Sequence, residues 1–263
     1  MKVKGEKLNI NDISTQLLFT TVPIFAQNKD NTFSSGTGFI FSVDEGEGTS
    51  IPLLITNYHV LKDAIAGFVE LHIGEQGKPS NKTVRVQFDK TIISGNKLGE
   101  LDVIAVPLAS TLMSFQKNGI EIFFRSVDQN MIPSVEQEQS FAAIEHITFI
   151  GYPSSIYDEK NKISIVRQGI TATPIWNSFR GEEAFLIDAG VFPGSSGSPV
   201  FIFNQGSYPI AEGIALGNRL LFVGILTQTM IRNDKDYLNL GKVINSRAMY
   251  RELEILIHKL KQR

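Results

Sequence analysis

Three residues far apart in this sequence have the types needed for acyl transfer. Ser196 sits in the run Pro193-Gly194-Ser195-Ser196-Gly197-Ser198-Pro199. A serine hydroxyl attacks a carbonyl poorly until a base takes its proton. It must also stand on a tight turn that a carbonyl carbon can approach. Glycines on both sides permit such a turn, because they tolerate positive φ and leave room for substrate. Backbone N–H groups in Gly194, Ser195 and Ser196 can then face the oxygen under attack, each donor contributing about 3 kcal/mol in sites of this kind. Taken alone, the motif is equally a Gly/Ser loop between two strands.

The base is sought among four histidines. His72 falls in a strand pattern, His146 just ahead of one, and His258 in the last helix. His59 alone stands at a corner, where the apolar strand Leu53–Ile55 runs through Thr56-Asn57-Tyr58 into a short helical turn expected over Leu61–Ala66. Strand ends reach clefts, and a neutral imidazole can serve as base near physiological pH. A carboxylate that orients the imidazole is offered by Asp102, at the head of the apolar strand Asp102–Leu108. Glu100 lies two residues earlier and would share its face in a strand. Alternation alone does not choose between them. Asp102 is preferred because it abuts the apolar run, whereas Glu100 follows the turn residue Gly99.

The elements that must position these residues read as many short strands. Candidates are Ser35–Val43, Pro52–Thr56, Phe68–Ile73, Thr83–Phe88 and Asp102–Leu108, then Ile147–Gly151, Ile163–Ala172, Ala184–Ala189, Ser198–Phe203 and Leu220–Thr229. Several alternate apolar and polar, as in Val84, Val86 and Phe88. Turn-rich pieces such as DEGEGTS and GEQGKPSN lie between them. Such spacing suggests a sandwich or a pair of barrels. The stretch Thr111–Glu145 reads as a long loop or short helix, and residues 1–12 as polar and loose. Over 242–262 a helix is expected, with Val243, Tyr250, Leu253, Ile257 and Leu260 on the packed face.

The chain has 263 residues, a net charge of −2 and no cysteine. The charge balance argues against nucleic acid as the main partner, since phosphate binding normally needs a basic excess. Without cysteine, thiol catalysis and thiolate metal sites are excluded. Its absence fits a reducing, cytoplasmic compartment, with a secreted or periplasmic one as the alternative. No apolar run approaches the ~20 residues that span a bilayer. The nearest, Leu17–Ala26, is interrupted by Thr20, Thr21 and Pro23 and reads against a signal segment.

The order His, Asp, Ser and the local contexts resemble the trypsin/chymotrypsin superfamily. The likeness is greatest to its bacterial cysteine-free branch, the Deg (HtrA-like) and glutamyl-endopeptidase types. SGTGFIFS resembles the strand that leads to the histidine, TNYHV the histidine motif, LDVIAVPL the aspartate strand and FIGYPSS the segment that follows. VRQGITAT resembles a strand of the second barrel, IDAGVFPGSSGSPVF the nucleophile segment and FVGILTQ the strand lining the cleft. These landmarks run in order from Ser35 to Thr229.

The resemblance implies an all-β fold of two six-stranded antiparallel barrels with a C-terminal α-helix. The barrels are expected over about 13–125 and 140–240, within one peptidase domain spanning 1–263. It implies a serine endopeptidase working through an acyl-enzyme, with His59, Asp102 and Ser196 as catalytic triad. Gly194, Ser195 and Ser196 become the candidate oxyanion hole. Gly190, Phe192, Thr227, Gln228 and Thr229 become the substrate-binding set, with strand-like pairing to the peptide. A protein or peptide substrate and a regulatory partner protein are implied, and no metal or cofactor. The alternative is a catalytically silent or latent module that binds peptides or a partner.

Departures from the pattern sharpen this. Ser195 stands where trypsin has the aspartate that pairs with a new N-terminus, so activation by N-terminal insertion is not expected. Ser198 matches the glutamyl-endopeptidase type. No PDZ-like segment is expected after the barrel. Gly190 stands where trypsin has its cation-binding aspartate. With no charge there, a small or apolar residue is expected before the scissile bond.

Overall fold

A computed structural model describes residues 9–210, 213–232 and 236–261. The expected loose segment 1–12 lies outside them up to residue 8. The first half holds β1 (Thr21–Asn28), β2 (Phe33–Gly46), β3 (Thr49–Thr56), β4 (Ala64–Glu75), β5 (Lys78–Asp89) and β6 (Ile104–Pro107), paired in the order β5-β4-β1-β2-β3-β6. Short strands β7 (Ile122–Phe123) and β8 (Val127–Asp128) join β4 and β2. The second half holds β9 (His146–Gly151), β10 (Ile165–Thr171), β11 (Ala184–Asp188) and β12 (Pro199–Asn204). A separate ladder of β13 (Ser207–Ile210) with β14 (Gly213–Leu216) follows, then β15 (Arg219–Arg232) and β16 (Asp236–Asn245). Six of these close a barrel in the order β10-β11-β16-β15-β12-β9.

The chain therefore adopts the expected chymotrypsin-like all-β fold, with one difference in the first half. That sheet has eight strands, and its six-strand path ends at β5 and β6. Past β5, Asp89 accepts hydrogen bonds from the N–H groups of Thr91 and Ile92 and caps a helical turn. Beyond that turn the chain meets the edge of β6 through the isolated Lys97–Ile104 bridge and the Ala105 N–H to Asn96 O bond, 3.0 Å.

Among the described residues six α-helices accompany the strands: α1 (Ile13–Leu17), α2 (Tyr58–Leu61), α3 (Lys90–Ile93), α4 (Ala109–Lys117), α5 (Val135–Gln139) and α6 (Ser246–Lys261). The stretch Thr111–Glu145 thus holds helix α5 and most of α4. The apolar run Leu17–Ala26 is core: Val22, Ile24 and Ala26 alternate into the sheet along β1. The C-terminal helix starts at Ser246, later than the expected 242. Lys242–Asn245 finish β16, where Val243 pairs with Phe185 on one side and Leu226 on the other. A residue bonded on both edges cannot also begin a helix. Ala248, Met249, Leu253, Leu256 and Ile257 bury the packed face of α6.

The two halves meet through Phe222 of β15. Its ring lies 5.4 Å from Phe39, 6.3 Å from Phe41 and 5.9 Å from Phe201. All four side chains are fully buried. Burying one such ring stabilises by about 2–3 kcal/mol. Met249 and Leu253 of α6 close the same core. This packing holds β2, which feeds the histidine side, against β12 and β15, which flank the serine.

Candidate active site

His59 occupies α2, one turn long, where the sequence places a helical turn three residues later. Asn57 precedes it with extended backbone, and its Nδ2 donates to the Asp102 carbonyl at 2.9 Å. The Tyr58 N–H donates to the same carbonyl at 3.2 Å. The His59 N–H reaches Asp102 Oδ1 at 2.9 Å, and His59 Nδ1 reaches Oδ2 at 2.6 Å. One carboxylate thus fixes both the backbone and the ring. With its proton on Nδ1, the ring leaves Nε2 as a lone-pair acceptor.

Asp102 lies in a bend ahead of β6, which begins at Ile104, and not within the strand. Glu100 is exposed and takes no part in these contacts. Thr227 Oγ1 donates to Asp102 Oδ2 at 2.7 Å. Burial pushes the Asp102 carboxyl up, but hydrogen bonds from His59 and Thr227, with the charge of His59, hold it below the ordinary 3.8.

The Ser196 turn is built across both halves. The Thr37 N–H of β2 donates to Ser196 O at 2.9 Å, and the Gly197 N–H donates to Leu226 O at 2.8 Å. Gly197 has φ +90°, and a Cβ there would lie 2.0 Å from Thr37 O. Only glycine fits. Thr37 is fully buried, and its Oγ1 donates to Gly194 O at 2.9 Å while accepting the Tyr152 N–H at 3.0 Å. Thr37 is not among the site residues expected from the sequence. Its signal is the SGTGF run, where a hydroxyl between two glycines interrupts an apolar strand.

The candidate oxyanion segment is fixed peptide by peptide. Pro193 O accepts the Ser154 N–H at 2.5 Å. A trans peptide is planar, so the Gly194 N–H points the opposite way. Gly194 has φ +87° and packs so close that a Cβ would lie 2.6 Å from Tyr152 O. Neither the Gly194 nor the Ser196 N–H has a protein acceptor among the described residues. Ser195 differs: its N–H donates to Phe192 O at 3.0 Å, so it is not an oxyanion donor. Turn closure takes that N–H, and Ser195 drops from the candidate hole.

Ser196 Oγ donates to Thr227 O at 3.2 Å and not to His59. The register of β15 against β16 shifts between Leu226 and Gln228, leaving Thr227 on a bulge. Bulges re-aim a side chain, and this one turns the Thr227 hydroxyl to Asp102. The sequence assigns Thr227 to the substrate strand; its tie to Asp102 has no signal in a single sequence. Beyond it, Gln228 is exposed, and Thr229 Oγ1 donates to Val191 O at 3.3 Å. Phe192 is 44% exposed, with the Arg167 guanidinium 4.9 Å from its ring centre. Gly190 lies beside the same guanidinium. Among the described residues, no three His, Asp or Glu side chains gather as a metal site would require. No helix among them is long and apolar enough to cross a membrane.

A family model described as the trypsin-like peptidase domain matches residues 36–208. No curated protein matches the sequence. Among solved structures, the chain is similar to the active form of the Rv3671c protease from M. tuberculosis, at 14% identity and a TM-score of 0.50, covering 95% of this chain and 86% of that one. It is similar to the HtrA-type protease AlgW with a decapeptide, at 14% identity and a TM-score of 0.54, covering 93% of this chain and 66% of that one. It is also similar to the HL collagenase, at 14% identity and a TM-score of 0.51, covering 89% and 91%. At these identities the likeness is one of fold.

Proposed function

We propose, from the premise that this chain belongs to the trypsin-like peptidase family, that it is a serine endopeptidase with Ser196 as nucleophile. The observation that carries the reading is the 2.6 Å contact between His59 Nδ1 and Asp102 Oδ2, linked to Ser196 through Thr227, whose hydroxyl donates to Asp102 and whose carbonyl accepts the serine. His59 Nε2 takes the Ser196 proton as Oγ attacks the scissile carbonyl. Asp102 keeps the proton on Nδ1 and stabilises the imidazolium that forms. The oxygen of the tetrahedral intermediate lies against the Gly194 and Ser196 N–H groups. Collapse expels the amine, which leaves with the proton from His59, and water then hydrolyses the acyl-enzyme by the same route. Thr227, Gln228 and Thr229 offer backbone groups to the substrate peptide.

One observation favours a second reading, a resting form that binds peptides until rearranged. Ser196 Oγ is engaged by Thr227 O, so attack requires it to rotate toward His59. A fluorophosphonate probe and a mixed peptide library test both readings. Wild type is expected to label and to cleave. Ser196→Ala loses the label, and His59→Ala lowers the cleavage rate by roughly four orders of magnitude or more. A folded wild type that neither labels nor cleaves overturns the endopeptidase.

A further inference from the structure

Two segments flank the Ser196 turn. Phe192 O of the segment Gly190–Phe192 accepts the Ser195 N–H, Thr227 O of the segment Thr227–Thr229 accepts the Ser196 hydroxyl, and the Thr229 hydroxyl joins the two at Val191 O. A peptide lying along Thr227–Thr229, with its carbonyl at Ser196, would direct the side chain before the scissile bond into a slot between them.

The slot is not without charge. Gly190 leaves open a space that Arg167 of β10 fills: a Cβ on Gly190 would lie 2.7 Å from Arg167 Nη2. The guanidinium stacks on Phe192, which holds it in place at this wall. Arg85, Arg219, Arg247 and Arg251 each meet a glutamate. Arg167, like Arg125 and Arg180, meets no carboxylate among the described residues, but of these three it alone borders Gly190. Asp188, the acid nearest Gly190 in sequence, is exposed and lies opposite Ile170 across the strands. A stacked guanidinium presents a rigid fork of donors that matches a carboxylate, and it gives up water more readily than an ammonium.

We infer that Arg167 makes the cleft selective for an aspartate or glutamate before the scissile bond. This rests on the endopeptidase reading above. It replaces the expectation of a small or apolar residue, which looked only at Gly190 and its neighbours in sequence. The charge comes from another strand, and Gly190 is what admits it.

The test uses the intact chain and diphenyl phosphonate analogues of glutamate, leucine and lysine, which react only with an activated serine. The glutamate reagent is expected to inactivate roughly tenfold or more faster than the leucine reagent, the gain of one charge-assisted pair. The lysine reagent is expected to be slowest. Arg167→Gln should bring the glutamate-to-leucine ratio to near one, and Arg167→Lys should keep part of it. If leucine or lysine reacts fastest with wild type, or if Arg167→Gln leaves the ratio unchanged, the inference falls while the endopeptidase stands. If no phosphonate reacts and fluorophosphonate also fails, both fall.

Discussion

Thr227 donates a hydrogen bond to Asp102 Oδ2 at 2.7 Å, and that oxygen also takes His59 Nδ1. The carboxylate therefore cannot swing toward Thr227 without loosening the imidazole, nor the reverse. Because Thr227 sits on a bulge in β15, the closed barrel of the second half sets the aim of a carboxylate carried by the first half. Thr227→Val keeps the shape and removes only the hydroxyl. The expected result is a fall of roughly tenfold in kcat, the scale of one charge-assisted hydrogen bond. KM should change less, since the backbone of residue 227 is kept. Thr227→Ser should recover most of the loss. Steady-state hydrolysis of a peptide substrate decides it, and a Val variant with full kcat would remove Thr227 from the site.

The same contacts give a pH dependence of stability. Burial works against the Asp102 charge, but the His59 and Thr227 hydrogen bonds outweigh it, so the folded-state carboxyl titrates below 3.8. Lowered in the fold, this group contributes stability that is complete above its unfolded value and is lost as pH falls through the folded value. Wild-type stability minus that of Asp102→Asn should therefore be constant at neutral pH and shrink below about pH 4. Urea unfolding of both proteins across pH 3–7 measures the difference. A difference that grows toward low pH would contradict the assignment.

How much of this was legible in the sequence depends on whether the signal was local. His59, Asp102 and Ser196 each carry a local mark, namely a strand end, the head of an apolar run and a glycine turn. The strands that alternate strongly, such as β5, read correctly for the same reason. The misreadings share a cause in long-range contact. Val243 fits a helical stripe, yet pairing to Phe185 and Leu226 makes it strand. Thr21–Ala26 is absent from the candidate strands, yet β2 pairs with it along one edge and β4 joins the other from Ile24 onward. Ser195 looks equivalent to its neighbours until its N–H is seen to close a turn on Phe192. Arg167 is an ordinary strand residue until the barrel sets it beside Gly190.

Gly197 separates two kinds of glycine requirement. Gly197 and Gly206 both have positive φ, +90° and +83°. A Cβ on Gly197 meets Thr37 O at 2.0 Å, whereas one on Gly206 meets nothing within 4 Å. Gly206→Ala should cost only the backbone strain, about 1–2 kcal/mol. Gly197→Ala adds a clash with a buried carbonyl and should cost about 3 kcal/mol or more, with loss of fluorophosphonate labelling. Denaturant midpoints of the two variants give the comparison. Equal losses would show that the Thr37 contact relaxes freely.

Tyr152 ties the candidate oxyanion segment to β1 and to β2 by two separable contacts. Its hydroxyl donates to Thr21 O at 3.2 Å, and its backbone N–H donates to Thr37 Oγ1 at 3.0 Å. Burial pushes the phenol well above its ordinary value, so it stays neutral wherever the protein is stable. Tyr152→Phe removes only the hydroxyl contact. It should cost about 1 kcal/mol, the usual net value of one hydrogen bond. That loss should not vary between pH 5 and 9, because no charge is involved. Hydrolysis by the folded variant should stay within about twofold, since Gly194 is positioned by the backbone of residues 152–154 and not by the phenol. Parallel measurement of unfolding and of kcat separates the roles: a large fall in kcat with unchanged stability would mean the hydroxyl acts on the site itself.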